Sequence, residues 1–257
     1  MRILIKLGGT LLDGDATRQA MAAQLAAAHR ANPQTVVVHG GGKQMTRFLA
    51  ERNVESKFVE GLRVTTEDVL DAVLKVFAGS VNHQLVASLI AAGVQAVGIT
   101  GIDGCLVEAA LLRPELGFVG KPVRSNPALL ETLISGGFLP VAACVAGDRQ
   151  GRIYNVNADQ MAVSCASGFQ ADRLFFLTDV DGVKDSGGQV IPTLSLDQSR
   201  LLISDGVATG GMQAKLNAAA EALLGGVGEV VIAPGAAPDI VARLLAGEAV
   251  GTRFVRS

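Results

Sequence analysis

The run Val36-Val37-Val38-His39-Gly40-Gly41-Gly42 constrains this chain more than any other stretch. Three β-branched residues in succession predict a buried strand. Three glycines then strip the backbone of side chains where the strand stops, and a helical pattern, Lys43 to Arg52, starts at once. A strand, a bare turn and a helix N-terminus in series bring unpaired N–H groups and the positive end of a helix dipole to one point, which suits an anion. The N-terminus repeats the design with Ile3-Leu4-Ile5 and then Lys6-Leu7-Gly8-Gly9, now with a lysine at the strand end. Two such turns suggest a protein that handles phosphate. Each turn taken alone also reads as a tight strand-to-helix connection. Neither is a G-x-x-x-x-G-K-[ST] loop, nor a G-x-G-x-x-G with a suitably placed acid.

The chain has 257 residues, 49% of them hydrophobic, enough for a large core in one domain or in two lobes sharing a sheet. Aromatics are only 4% and Trp is absent, while Gly reaches 31 residues, so the core is built from Ala, Val, Leu and Ile around tight turns. That is the habit of α/β proteins. A formal net charge of −2, with no basic stripe interleaved with aromatics, argues against nucleic acid. Cys105, Cys144 and Cys165 form no C-x-x-C and sit in apolar contexts, so buried free thiols in a reducing compartment are expected. No signal-peptide pattern precedes Ile3, and the most apolar window, Leu85 to Ile102, is interrupted by Gly93, Gln95 and Gly98. It reads as helix, turn and strand rather than a membrane span. A cytoplasmic protein is expected.

Strand and helix patterns alternate almost throughout. Helices are expected from about Ala16 to Arg30, from Thr66 to Phe77, from Val81 to Ala91 after a break at Gly79, from Asn126 to Gly136, from Gln160 to Ser167 and from Gly210 to Leu224. Strands are expected at Ala96–Thr100, Leu139–Val145, Arg173–Thr178 and Glu229–Ala233, with a hairpin inside Leu106–Val123 and a polar turn at Asn155–Asp159. Serines after Gly188 read as part of a helical stretch, and Phe254-Val255 as a closing strand. Such alternation predicts a mainly parallel sheet with helices on both faces, and in such sheets ligands sit at the carboxyl ends of strands.

Phosphoryl transfer needs a cationic clamp, backbone donors and in-line placement of donor and acceptor. Lys6, at a strand end where a solvated lysine is less expected, and Lys215, early in a helix after Gly211 where an exposed lysine is ordinary, are candidate clamps. Asp159 closes the polar run Asn155-Val156-Asn157-Ala158-Asp159, and reads as a functional carboxylate or as an N-cap. Arg63 suits a bidentate grip on a carboxylate, or a structural ion pair. The three histidines show no evident pairing. No Ser/His/Asp triad and no metal-ligand spacing stands out.

The order of the pieces carries more than any one of them. K-L-G-G at Lys6, V-H-G-G-G at Val38, G-L-R-V-T at Gly61, N-V-N-A-D at Asn155 and G-G-M-x-x-K at Gly210 together resemble the amino acid kinase superfamily, over essentially the full length. Within it the chain is similar to the kinases of N-acetyl-L-glutamate. The resemblance implies an open αβα sandwich forming one amino acid kinase domain over residues 1–257. Its N-terminal lobe, about 1–168, would bind the acyl amino acid, and its C-terminal lobe, about 169–257, would bind ATP. The implied reaction moves the γ-phosphate of MgATP to the side-chain carboxylate of N-acetyl-L-glutamate, a step of arginine biosynthesis. By position, Lys6 and Lys215 would stabilise the moving phosphoryl group, Gly9 and Gly41 would donate backbone N–H bonds to it, and Asp159 would orient both lysines. Gly41, Gly42, Arg63 and Asn155 would hold the acceptor. Asp179, Val180, Asp181, Gly182, Val183 and Lys184, with Val207, Ala208 and Thr209, would hold the nucleotide. No protein site for a metal is evident, so Mg2+ would be carried by ATP.

Two features depart from the pattern: Thr66 where relatives often carry an acid, and Phe58 where some place a basic residue near substrate. Alternatives are a kinase of the same fold acting on carrier-bound aminoadipate or glutamate, and a catalytically inactive nucleotide-binding regulatory subunit. A homodimer is expected, because Val69, Leu70, Val73, Val76 and Phe77 give the helix after Thr66 more apolar surface than one stripe needs. Insensitivity to arginine is expected from the lack of an N-terminal helix before Met1-Arg2.

Overall fold

β1 (Ile3–Leu7) opens the computed structural model, which describes residues 1–256. A 3-10 turn at Gly9–Leu12 leads to α1 (Asp15–Ala31), and β2 (Thr35–His39) runs across Gly40 and Gly41 into α2 (Gly42–Ala50). A short hairpin, β3 (Phe58–Val59) with β4 (Leu62–Arg63), precedes α3 (Glu67–Val73) and α4 (Asn82–Ala91). Then come β5 (Ala96–Thr100), β6 (Val107–Leu111), β7 (Val119–Ser125), α5 (Ala128–Ser135), β8 (Leu139–Ala143), β9 (Val145–Gly147), β10 (Ile153–Val156) and α6 (Ala158–Phe169). The C-terminal part holds β11 (Arg173–Thr178), β12 (Thr193–Ser195), α7 (Leu196–Ser204), α8 (Gly210–Leu224), β13 (Glu229–Pro234), α9 (Ile240–Leu245) and β14 (Thr252–Val255).

Eight strands form one sheet in the order β12-β14-β13-β11-β1-β2-β8-β5. Every pairing in it is parallel except β13 with β14. β1, β2 and β8 are buried along their whole length, as the unbroken β-branched and aliphatic runs predict for strands covered on both faces. Parallel neighbours all point their carboxyl ends the same way, so the loops after β1, β2 and β11 meet at one edge. A smaller closed barrel of β6, β7, β9 and β10 stands beside the sheet.

Several expectations are corrected. Leu139–Val145 is not one strand: β8 leaves the sheet after Ala143, and Val145 starts β9 in the barrel. The polar turn at Asn155–Asp159 is the end of β10, an N-cap at Asn157 and the first turn of α6. Thr193–Ser195 forms an edge strand, and only then does α7 begin, with a capping box between Ser195 and Gln198. Gly79 does not break its helix, because Glu67–Ala91 runs on through a π-helical turn at Leu74–Val81. Among the described residues this stretch, rather than Leu85–Ile102, is the one long and apolar enough by composition to cross a membrane. In this fold Val69, Val73, Val76, Phe77, Val81, Leu85 and Leu89 are packed into the core. Of the apolar residues expected to face a second copy, Val69, Val73, Val76 and Phe77 are buried within one chain and Leu70 is half-buried. Cys144 and Cys165 are buried free thiols, but Cys105 is exposed, at the end of a 3-10 turn over Asp103–Cys105.

Candidate active site

The loops following β1, β2 and β11 enclose a cleft of about 680 Å3. Lys6, Gly9, Gly42, Arg63, Asp179 and Lys215 are in its wall. A second cavity of about 160 Å3 opens beside it, bounded by Gly41, Phe77, Cys144, Asn155 and Asn157. Gly42, Phe58 and Arg63 line both. The larger cleft carries five cations, Lys6, Lys43, Arg47, Arg63 and Lys215, against two carboxylates, Asp13 and Asp179. Such an excess favours a polyanion.

At the floor lies a nearly dry charge cluster. Lys6 sits within β1, one turn of the pleat deeper than a strand end, between Val38 and Phe176 of the neighbouring strands. Its Nζ is 2.7 Å from Asp159 Oδ1, and Lys215 Nζ is 3.6 Å from Asp159 Oδ2. Lys6 and Asp159 are each only 7% exposed. Asp159 stands in the first turn of α6, where the helix dipole favours a carboxylate, and Asn157 Oδ1 caps that turn by accepting from the N–H groups of Asp159 and Gln160. Burial acts to raise the pKa of Asp159, but the charges and hydrogen bonds of Lys6 and Lys215 outweigh it and hold the carboxyl below its usual range. One carboxylate between two lysines leaves a unit of positive charge where water screens poorly.

The two glycine turns touch each other above this cluster. A Cβ on Gly9 would stand 3.2 Å from the Gly42 nitrogen, and one on Gly41 would stand 2.9 Å from the Phe77 ring. Only a bare backbone lets the turns approach this closely. Met45 is the first residue of α2 whose N–H reaches back, to the Gly41 carbonyl at 2.8 Å, so the preceding amides of the turn have no intrahelical acceptor. His39 is not unpaired as expected from the sequence: its Nδ1 lies 2.8 Å from the Gly40 carbonyl and its Nε2 2.9 Å from Asn82 Nδ2.

Arg63 is 9% exposed and closes the junction of the two cavities. It donates to Thr46 Oγ1 at 2.8 Å, to the Gly42 carbonyl at 3.3 Å and to Ser56 Oγ, and its guanidinium lies over the Phe58 ring at 4.6 Å. Phe58 and Arg63 are register partners across the β3–β4 hairpin. Asn155 Nδ2 donates to Thr65 Oγ1 at 3.0 Å, and the Thr65 hydroxyl donates to the Arg63 carbonyl at 2.9 Å. Burial pushes the Cys144 thiol up to about 12, so it faces the smaller cavity as a neutral, unreactive group.

The model of the amino acid kinase family matches residues 1–234. The chain belongs to the amino acid kinase family. It is 63% identical over 255 residues to the acetylglutamate kinase of Solibacter usitatus, covering 99% of each chain. The crystal structure of smu.665 from Streptococcus mutans UA159 superposes with a TM-score of 0.84 at 29% identity, over 99% of this chain and 98% of that one. N-acetylglutamate synthase from Neisseria gonorrhoeae, complexed with coenzyme A and N-acetyl-glutamate, gives 0.88 at 25% identity, over 100% of this chain and 59% of that one.

Most residues singled out in the sequence of this amino acid kinase converge. Lys6, Gly9, Gly42, Arg63, Asp179 and Lys215 line the cleft, Gly41 and Asn155 line the adjoining cavity, and Asp159 joins the two lysines. The expected nucleotide segments divide. Asp179 faces the cleft, accepting from the Thr178 hydroxyl at 3.0 Å. Val183 and Ala208 are buried, so they have only backbone atoms to offer, and the Val183 N–H is already given to Thr252 Oγ1 at 2.8 Å. Gly182, at φ 151°, has its side-chain position filled by Thr252 and Val190. Val180 is half-buried; Asp181, Lys184, Val207 and Thr209 are exposed outside the cleft lining, and Lys184 lies 3.8 Å from Asp181. Thr46, Ser56, Thr65 and Asn82 were missed. Of these, only Thr65 lay within one of the short motifs, G-L-R-V-T.

Proposed function

We propose that this kinase transfers the γ-phosphate of ATP to the side-chain carboxylate of N-acetyl-L-glutamate, as a cytoplasmic enzyme of arginine biosynthesis. The observation that carries the reading is the Lys6–Asp159–Lys215 cluster lying beneath two touching glycine turns; the 63% identity to an acetylglutamate kinase supports the choice of acceptor. The nucleotide enters the larger cleft over Asp179 and Lys215, and the acyl amino acid enters from the Asn155 side. Arg63, between the two, takes the acceptor's α-carboxylate, exchanging bonds to Thr46 and the Gly42 carbonyl for a stronger charge-assisted pair. Phe77, Val119 and Val156 give the smaller cavity an apolar wall for the acyl group.

The acceptor carboxylate is already a deprotonated nucleophile, so the site needs no general base, and it holds no titrating histidine to serve as one. Charge grows on the phosphoryl oxygens during transfer. Lys6 meets it from β1 and Lys215 from α8, while the Gly9 and Gly41 amides donate from the two turns. Asp159 holds the lysines apart and aimed, without touching the phosphoryl group. Among the described residues no group of three or more His, Cys, Asp or Glu side chains converges. Mg2+ would be held by the nucleotide phosphates rather than by protein carboxylates, and would supply charge neutralisation there.

A coupled assay of ADP release across N-acetyl-L-glutamate, N-acetyl-L-aminoadipate and L-aspartate tests the reading. Turnover at least about tenfold faster with N-acetyl-L-glutamate is expected, since one methylene is worth about 10–200-fold. Equal or faster turnover with the longer acid, or none with any, would overturn it.

A further inference from the structure

A second set of residues lies behind the glycine turn, outside the lining of either cavity, and reaches that turn through His39. His39 is 0% exposed and Asn82 is 3% exposed. A carbonyl can only accept, so the 2.8 Å contact to Gly40 O requires the proton on Nδ1, which donates it. The bare Nε2 then accepts from Asn82 Nδ2 at 2.9 Å. The same amide group donates to the Val141 carbonyl at 3.0 Å, which fixes its orientation. Burial lowers the pKa of His39 to about 4, in keeping with a neutral ring.

The π-helical turn puts this pair in place. Asn82 N–H bonds the carbonyl of Phe77, an i→i+5 closure. At the 3.6 residues per turn of an α-helix, residues five apart would point in different directions. With the wider turn, Phe77 supports Gly41 from below while Asn82 holds His39, and His39 holds Gly40. Gly98 on the edge strand β5 completes the arrangement: a Cβ there would stand 1.9 Å from Asn82 Oδ1. His39, Asn82 and Gly98 line neither cavity, so of this chain of contacts only Phe77 and the glycine turn would meet a substrate.

We propose that His39 and Asn82 are positioning residues, presented by the π-turn, that fix the carbonyl of Gly40 and thereby aim the Gly41 and Gly42 amides at the transferred phosphoryl group. This rests on the phosphoryl-transfer reading above. Misaiming a donor by about 1 Å costs on the order of 10²-fold in rate, without loss of ground-state binding made elsewhere.

The test uses Gly98→Ala, Asn82→Leu, His39→Leu and His39→Asn in the full chain. Gly98→Ala is the sharpest, because it adds one methyl far from the site and must displace the Asn82 amide. We expect kcat to fall by about 10–100-fold in Gly98→Ala, Asn82→Leu and His39→Leu. The KM for ATP should stay within about threefold. His39→Asn keeps a donor near the Nδ1 position and should recover most of kcat, although it is no more stable than His39→Leu. A kcat within about twofold of the parent in Gly98→Ala or Asn82→Leu would overturn the proposal, as would equal losses in His39→Asn and His39→Leu. Should the variants not fold, imidazole 15N shifts of the unaltered protein at pH 7 decide it. A proton on Nδ1 alone is expected, and a proton on Nε2 overturns the proposal. If the parent enzyme phosphorylates no acyl glutamate, the functional reading has failed; if it does and the variants match it, only the positioning has.

Discussion

Lys6→Ala would leave Asp159 buried with one lysine at 3.6 Å and remove a donor from the moving phosphoryl group. Lys6→Ala and Lys215→Ala are each expected to lower kcat by about 10²–10³, with smaller effects on either KM. Steady-state kinetics check this, and a near-parental kcat removes that lysine from the mechanism. His39 makes a prediction about stability. Its pKa falls from 6.5 unfolded to about 4 folded, so between these values the unfolded chain binds a proton that the native ring refuses. Native stability is then fully present above pH 6.5 and falls as pH drops toward 4. The shift is worth about 3 kcal/mol at 1.36 kcal/mol per unit. Urea unfolding at pH 7 and pH 4 should show His39→Asn losing less stability on acidification than the parent, by about that amount. At this scale Lys6, Arg63, Asp159 and Lys215 were legible because each stands in a short motif, K-L-G-G, G-L-R-V-T, N-V-N-A-D or G-G-M-x-x-K, whose order along the chain marks it. Thr65 and Asn82 were not, because their partners, Asn155 and His39, are brought to them only by the fold.

The glycine turns were readable as elements since a strand, a bare backbone and a helix start leave few alternatives. The π-turn was not. Gly79 is a poor helix former and reads as a break, but Phe77 and Asn82 gain contacts to the glycine turn only if the helix continues through a wider turn. Tertiary packing overrides the local propensity. The barrel strands β9 and β10 were illegible for a related reason: each is short, and their apolar residues merge into the flanking patterns. The start of α6 offers a test at this scale. Asn157→Ala removes the cap that accepts from the amides of Asp159 and Gln160. A loss of about 1 kcal/mol in unfolding free energy is expected by denaturant titration. No loss would mean that the Lys6–Asp159 contact alone sets the helix start.

For the whole molecule, β1 pairs with β2 on one side and with β11 on the other, so the N-terminal and C-terminal halves share one continuous sheet. Alternating strand and helix patterns made that architecture legible. They could not show that β13 and β14 are antiparallel, or that four strands leave to form a barrel. The shared sheet matters for chemistry because it fixes Lys6 at the seam, between Val38 and Phe176 near the carboxyl ends of β2 and β11, where the proposed reaction needs donor and acceptor to meet in line. The central claim is that the phosphoryl group passes to the side-chain carboxylate of N-acetyl-L-glutamate. Isotope transfer tests it most directly. N-acetyl-L-glutamate labelled with 18O in the side-chain carboxylate is incubated with MgATP and the enzyme. Hydroxylamine then cleaves the product at its acyl carbon, and the released phosphate is read by 31P NMR. The account predicts phosphate carrying one 18O from the side-chain label and none from an α-carboxylate label. Transfer of 18O from the α-carboxylate, or phosphate with no 18O from either, would contradict it.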